Sequence, residues 1–325
     1  MKKNCILGID TSNYTTSAAL VDTDGKLIAN VKKLLPVKEG ACGLRQSDAL
    51  FFHTVQLPAI LSEVGEYLDG GSPVAVGVSS RPRSVAGSYM PCFLAGVSAA
   101  RAASVAACIP LYTFSHQCGH LMAALYSAGC EELTKTTFGA FHVSGGTTEL
   151  LRASFNGNAF DTEIVGGTRD LNAGQAIDRV GVMLGLPFPC GPALERCAAE
   201  NKKKLPPRKI SADGTYVNLS GLQNLAEKHY RETGDAPLTA AFTLAFIAES
   251  LAAMSRAYIE KFGSSPLLYA GGVMSNAYIK SYLGARFDAR FAEPSLSSDN
   301  AVGIALLARR AYLGQEEQNG RQYHG

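Results

Sequence analysis

Two hydrophobic rhythms run along the chain. Short apolar runs broken by glycine- and hydroxyl-rich turns read as strands, and longer stretches with apolar residues every three to four positions read as helices. Residues 5–9, 18–21 and 26–31 predict three strands of a β-meander, separated by Asp10-Thr-Ser-Asn-Tyr-Thr-Thr-Ser17 and the turn Asp22-Thr-Asp-Gly25. Helical spacing over 50–67, carrying His53, is followed by a strand at 74–78 and the basic loop Arg81-Pro-Arg-Ser-Val-Ala-Gly87. A helix rich in Ala, Gly and Ser at 93–108 and a strand at 109–114 come next. Strand, helix, strand in that order implies parallel pairing under a covering helix.

The device returns in the second half. Residues 138–143 predict a strand, Ser144-Gly-Gly-Thr-Thr148 a turn, and 149–153 a returning strand. Two copies of strand, polar turn and strand predict an internally duplicated α/β fold, with a phosphate chain gripped between the two turns. In the first turn Asp10 can face a cation and hydroxyls such as Ser12 can meet phosphate; in the second, Gly145 and Gly146 beside Ser144 and Thr147 let a ligand approach the backbone. Beyond this the pattern is mostly helical: a helix with Asp178 ending near Gly185, a helix with Glu195 opened by Pro189-Cys-Gly-Pro192, and a long helix at 239–262. A late strand at 267–270 runs into Gly271-Gly-Val-Met-Ser-Asn276, so Gly272 and Asn276 stand at a strand's carboxyl end, where an open α/β sheet takes a nucleoside. Ser297-Ser-Asp-Asn300 opens a final helix, where Asp299 also suits an N-cap.

Chemistry concentrates at Tyr112-Thr-Phe-Ser-His-Gln-Cys-Gly-His-Leu-Met122, which reads as a strand end, an N-capping Ser115 and a helix. His116 and His120 are four apart, so both imidazoles share one helix face; two nitrogens can begin a metal site that a carboxylate from elsewhere must complete. Cys118 points about 160° away from their mean direction, at about 100° per residue, and reads as structural. A zinc-protease helix is disfavoured, because Gln117 stands where H-E-x-x-H places its general-base glutamate.

Composition narrows the class. With 46% hydrophobic and 18% charged residues the 325-residue chain is expected to be soluble and globular, in two domains or one two-lobed fold. The eight scattered cysteines, with no C-x-x-C pair, suit reduced thiols of a cytoplasmic protein. No leader is expected from the short apolar run after Met1-Lys-Lys, and no segment is expected to span a membrane. A net charge of +2 neither demands nor excludes nucleic acid.

Asp10-Thr-Ser, His116-x-x-x-His120, Val143-Ser-Gly-Gly146, Ala173-Gly-x-Ala-x-Asp178, Pro189-x-Gly-Pro192, Ser220-Gly-Leu222, Gly271-Gly-Val-x-x-Asn276 and Ser298-Asp-Asn300 follow one another in this order. Together they resemble the family of tRNA N6-threonylcarbamoyladenosine synthases, also labelled O-sialoglycoprotein endopeptidases or glycoproteases. The resemblance covers nearly the whole chain. It implies an actin-like, sugar-kinase-like fold of two lobes around a nucleotide cleft: a first lobe over 1–133, a second over 134–296, and a helix over 297–325 returning to the first. It also implies one divalent metal, iron or zinc with magnesium open, held by His116, His120 and Asp299. A nucleotide (ATP, AMP or threonylcarbamoyl-adenylate) is implied at Ser144, Gly145, Gly146, Asp178, Gly191, Glu195 and Asn276. The implied reaction is attack by the N6 amine of tRNA adenosine-37 on that adenylate, releasing AMP, with partner proteins of the threonylcarbamoyl pathway possible and no side-chain nucleophile. The chain departs from the family at Thr147, where a histidine is usual, at Arg81-Pro-Arg83, usually Gly-Pro-Gly, at Asn13-Tyr-Thr-Thr16, usually acidic, and around His53. A divergent paralogue, a carbamoyltransferase or kinase acting on a small acceptor, and a non-catalytic partner of a true synthase are the alternatives.

Overall fold

The computed structural model describes residues 4–12, 14–36, 44–296 and 301–322, with side chains as far as Gln315. Asn13, Cys42 and the stretch 297–300 containing Asp299 lie outside the described residues. The chain divides into two compact units: Met1–Glu131 with Phe155–Asp161 and Ser298–Gly325, and Glu132–Ser154 with Thr162–Ser297.

The first unit is built on a five-stranded sheet. Strands β1 (Asn4–Ser12), β2 (Thr15–Asp22) and β3 (Leu27–Leu34) form the meander, followed by helix α1 (Gln46–Gly65), β4 (Ser72–Arg81), α2 (Phe93–Ala107), β5 (Leu111–Ser115) and α3 (His116–Ser127). The order is β3-β2-β1-β4-β5; β1 runs antiparallel to β2 and parallel to β4, and β4 is parallel to β5. The meander differs from expectation at its first turn. Asp10, Thr11 and Ser12 pair with Ser17, Thr16 and Thr15 and are all buried, so the hydroxyl-rich run is strand rather than open loop. Internal bonds satisfy its polar groups. Thr11 donates to the Cys92 carbonyl at 3.0 Å, and Thr16 donates to Gln56 Oε1 at 2.8 Å with His53 Nδ1 also 2.8 Å away. His53 is accordingly a core residue of this unit.

The second unit repeats the plan. Its strands are β6 (Phe138–Val143), β7 (Thr148–Phe155), β8 (Phe160–Thr168), β9 (Ser211–Asp213), β10 (Tyr216–Asn218), β11 (Leu267–Ala270) and β12 (Ala289–Phe291). Its helices are α4 (Ala173–Met183), α5 (Gly191–Ala199), α6 (Gly221–Thr233), α7 (Ala236–Phe262) and α8 (Ala277–Gly284). Within the order β12-β11-β6-β7-β8-β10-β9, the five strands β8-β7-β6-β11-β12 reproduce β3-β2-β1-β4-β5. The directions known for the first sheet recur here: β6 is antiparallel to β7 and parallel to β11, and β11 is parallel to β12. The duplicated α/β architecture expected from the two strand–turn–strand copies is present.

Helix α7 is longer and more apolar than the sequence pattern predicts of any segment. Its 27 residues include an 18-residue window of mean hydropathy 1.5, long and apolar enough to cross a membrane, yet 83% of that window is buried inside the protein. Phe242, Phe246, Ile247, Leu251 and Met254 of α7 form the middle of the core, with Phe141, Ile177, Leu194 and Tyr269 around them. A helix apolar on every side is what such a central position demands. Helix α9 (Val302–Gln322) belongs to the first unit.

Candidate functional site

Each unit carries one cluster of the expected residues. In the first, three parallel strands, β1, β4 and β5, run side by side, so their carboxyl ends share one sheet edge and deliver Asp10, Ser79 and His116 to one place. Asp10 is fully buried. It accepts hydrogen bonds from the Ser12 hydroxyl at 2.8 Å and from the Ser79 hydroxyl, and its Oδ2 lies 3.1 Å from His116 Nδ1. A carboxylate only accepts, so His116 carries its proton on Nδ1 and would ligate through Nε2. A carboxylate behind a histidine is the arrangement that orients a metal-binding imidazole.

Ser115 ends β5 and caps α3, its hydroxyl accepting from Cys118 N at 3.2 Å. One turn apart on that helix, the His116 and His120 rings approach to 4.2 Å between centroids, with their planes at 69°. Helix α9 is held against the same helix: a Cβ on Gly303 would overlap the Gly119 carbonyl, and one on Gly119 would lie 2.9 Å from Ile304 Cδ1. Gly119 stands between the two histidines, so the first turn of α9 rests on the middle of the histidine helix. Among the described residues no three His, Cys, Asp or Glu side chains form a metal-binding group. Two imidazoles, one already oriented by a buried carboxylate, nevertheless fit a divalent ion of borderline softness such as zinc or iron better than magnesium, which takes oxygen.

The basic loop after β4 is tied to this helix. The Pro82 carbonyl accepts from Gln117 N at 3.0 Å, and Ser84 bonds to Ser115 at 2.9 Å. Arg81 and Arg83 are therefore held as half-buried neighbours of the α3 N-terminus rather than on a solvated loop. Cys118 is buried, with its sulfur 3.5 Å from both the Phe160 carbonyl and the Ser84 hydroxyl, in keeping with a structural role.

In the second unit a groove of about 410 Å³ is lined by Gly145, Asp178, Gly191, Glu195, Gly272 and Asn276, six of the residues expected to hold a nucleotide. Ser144, Gly146 and Thr147 do not line it. Ser144 and Thr147 close the turn on each other, with Ser144 N donating to the Thr147 carbonyl at 2.7 Å and Thr147 N to the Ser144 hydroxyl at 3.1 Å. Asp10 and Ser12 belong to the other unit, buried in its sheet. The polar lining residues also hold the local backbone. Asp178 Oδ1 accepts from Cys190 N at 2.8 Å, Glu195 Oε1 from Ala277 N at 2.7 Å, and Asn276 Oδ1 from Ile279 N at 3.0 Å. Glu195 and Asn276 thus satisfy N–H groups at the start of α8, which fixes the orientation of both side chains. Burial, with the Asp178 charge, pushes the Cys190 thiol up, so it stays a neutral thiol beside the groove.

The sequence reading missed the apolar half of this groove: Ile177, Phe188, Leu244 and Val273. Phe188 is 75% exposed, and a flat ring left in water at a groove rim is the one signal of it. Gly174 explains how the turn and α4 come together, since a Cβ there would lie 2.7 Å from the Gly145 backbone.

A family model for tRNA N6-adenosine threonylcarbamoyltransferase matches residues 76–306. A tRNA N6-adenosine threonylcarbamoyltransferase of Streptococcus suis is 32% identical over 96% of this chain and 94% of its own, and one of Bacillus licheniformis is 30% identical over 97% and 95%. Among solved structures, the activator of the 2-hydroxyisocaproyl-CoA dehydratase from Clostridium difficile, with bound ADPNP, superposes over 97% of both chains with a TM-score of 0.54 at 12% identity. HypF of T. kodakarensis aligns over 96% of this chain and 48% of its own, with a TM-score of 0.60 at 12% identity. These likenesses are of fold: the duplicated, actin-like and sugar-kinase-like α/β architecture.

Proposed function

The chain belongs to the tRNA N6-adenosine threonylcarbamoyltransferase family, a family of transferases, and from that premise we propose that the groove of the second unit holds the adenosine of a threonylcarbamoyl-adenylate or of its product AMP. The observation that carries this reading is the convergence of six expected residues, from four separate stretches of the chain, on one groove with an apolar side. In the proposed arrangement Phe188 and Val273 cover the flat faces of the base, while Glu195 Oε2 and Asn276 Nδ2 bond to the sugar or base edge. Gly272 gives the ligand close approach, because no atom lies within 4 Å of where its Cβ would be. Titration calorimetry with AMP and ATP tests the assignment. Absence of heat from either nucleotide, with zinc or iron present, overturns it.

The proposed metal would be held by His116, His120 and Asp299, with Asp10 holding His116 in place. When bound, such an ion supplies Lewis acidity toward a carbonyl or phosphate oxygen. Asp299 lies two residues before Ala301 in the chain, and the packing of Gly303 on Gly119 supports its assignment to this cluster. The residues of the chain itself bind and orient. Asp10 keeps the His116 proton on Nδ1, and no side-chain nucleophile is required, since the N6 amine of the acceptor attacks.

The acceptor proposed is tRNA, as the family implies, in the cytoplasm and with pathway proteins as partners. One observation favours a second reading. Arg81 and Arg83, held beside the histidine helix through Pro82, form an anion-attracting corner suited to a small acidic acceptor. Binding of tRNA at low salt separates the two: no binding, alone or with partner proteins, leaves only the small acceptor.

A further inference from the structure

We propose that helix α8 carries a stacking track for unpaired RNA bases, leading away from the nucleotide groove; the track rests on the reading of that groove as the site where an RNA acceptor meets its donor. The track consists of Tyr278 and Tyr282, one turn apart on α8 and so on one face, and of Arg286, which lies two residues past the end of the helix. The two phenol rings stack with centroids 6.1 Å apart at 29°. The Arg286 guanidinium lies 3.7 Å over the centre of the Tyr282 ring, anchored by a 2.8 Å bond to the Tyr282 carbonyl. Tyr278 is 40% exposed, while Ile279 and Leu283 on the opposite face are wholly buried in the core.

Three features choose RNA over a protein partner. The two exposed ends of the track, the Tyr278 ring and the Arg286 guanidinium, offer a flat π surface and a planar cation, which accept any base. Tyr282 between them packs on the core and under Arg286, and no apolar floor seats a side chain, because Ile279 and Leu283 are covered. The helix, Ala-Tyr-Ile-Lys-Ser-Tyr-Leu-Gly, contains no acidic residue. The cation of the track itself, Arg286, is exposed, whereas the nearby Arg208 is already paired with Glu249. The position is equally specific. Asn276, the N-cap of α8, and Ser275 line the groove, so the track begins two residues from where the groove ends. A base flipped toward the groove leaves neighbours unstacked, and each unstacked neighbour needs a surface.

The test uses the full-length protein and fluorescence anisotropy at about 50 mM salt, where phosphate contacts are not screened out. The probes are a labelled RNA stem-loop with a seven-nucleotide unpaired loop and a fully paired RNA duplex of similar charge. The track predicts tighter binding of the stem-loop than of the duplex. Tyr278→Ala/Tyr282→Ala weakens the stem-loop by about tenfold or more, as loss of base stacking does, and leaves the duplex unchanged. Tyr282→Phe, which keeps the ring and drops the hydroxyl, restores wild-type binding in that position, whereas a purely helix-stabilising role would leave RNA affinity unmoved in every variant. Equal binding of stem-loop and duplex, unaltered affinity of the double variant, or no RNA binding by the wild type each overturns the track. AMP calorimetry on the same preparations keeps the two ideas apart. AMP binding with no effect of the double variant on RNA sinks the track and leaves the groove standing. The expected RNA losses without AMP binding support the RNA surface and sink the groove reading.

Discussion

At the scale of single residues, the decisive distinction is between polar groups that the fold has already used and those it holds ready. Asp10 is fully used: three side chains meet its carboxylate inside the sheet, and any effect on the proposed metal would pass through His116. Asp10→Ala should therefore free the His116 ring from its set orientation and lower zinc affinity by about 10–100-fold, as loss of an orienting carboxylate does. His116→Ala/His120→Ala should abolish stoichiometric metal altogether. Elemental analysis and competition with a chromophoric chelator read both, and a double variant that keeps one metal per chain removes the histidines from the assignment. Gly272 is the opposite case, a residue whose value is empty space. The Cβ of Gly272→Val meets nothing within 4 Å in the protein, so the melting temperature should hold while AMP affinity falls about tenfold or more. Unchanged affinity would place the nucleotide elsewhere.

At the scale of elements, the parts written in local periodicity were legible and the parts written in long-range pairing were not. The meander, the 138–153 hairpin, the strand leading to the histidine helix and the long α7 all follow from apolar runs bounded by turn residues. Strand β8, Phe-Asp-Thr-Glu-Ile-Val-Gly-Gly-Thr, alternates too imperfectly to announce itself, and β9, β10 and β12 are three residues each, defined only by their neighbours. The hydroxyl-rich run from Asp10 to Ser17 looked like a loop because its polar atoms find partners on α1, α2 and β4, none of them near in sequence. The same holds for the groove. Its glycines and carboxylates carry motif signals, whereas Ile177, Leu244 and Val273 are indistinguishable from core until the fold brings them together. Asp170 shows an element junction that local pattern does not reveal. Its carboxylate accepts from the Ser220 hydroxyl and from Leu219, Leu171 and Ser220 N–H groups, tying the end of β8 to the start of α6. Partial burial pushes its pKa up, but these donors outweigh it and hold the pKa at about 2, below the ordinary 3.8. A depressed carboxylate pKa stabilises the fold above the unfolded value and loses that contribution as pH falls from about 4 to about 2. Asp170→Ala should lower the melting temperature by about 2 °C at pH 7, with the gap to wild type closing over that acid window. A gap independent of pH would mean that the charge is not what ties the junction.

At the scale of the whole molecule, the question is how a chain of net charge +2 meets a polyanion. No global field steers it, so any attraction must come from local clusters. The run Lys202-Lys-Lys-Leu-Pro-Pro-Arg-Lys209 offers fewer free charges than its composition suggests. Lys203 is 2.7 Å from Asp235, and Arg208 is paired with Glu249 and lies over the Phe242 ring. Lys202, Lys204 and Lys209 remain exposed and make no ion pair among the described residues. Reversing these three to Glu, while keeping Lys203 and Arg208, changes the field without breaking a contact. If they meet tRNA phosphates, each contributes about one unit to the slope of log affinity against log salt. The triple variant should then lose about three units of slope and bind tRNA at least tenfold more weakly at low salt, with AMP affinity unmoved. Those phosphate contacts would be indifferent to base identity, which makes them separable from the tyrosine track on α8: the lysine variant weakens stem-loop and duplex alike, the tyrosine variant the stem-loop alone. Equal salt slopes for wild type and the lysine variant would return the run to an ordinary solvated loop and shift the search for the acceptor to the corner held by Arg81 and Arg83.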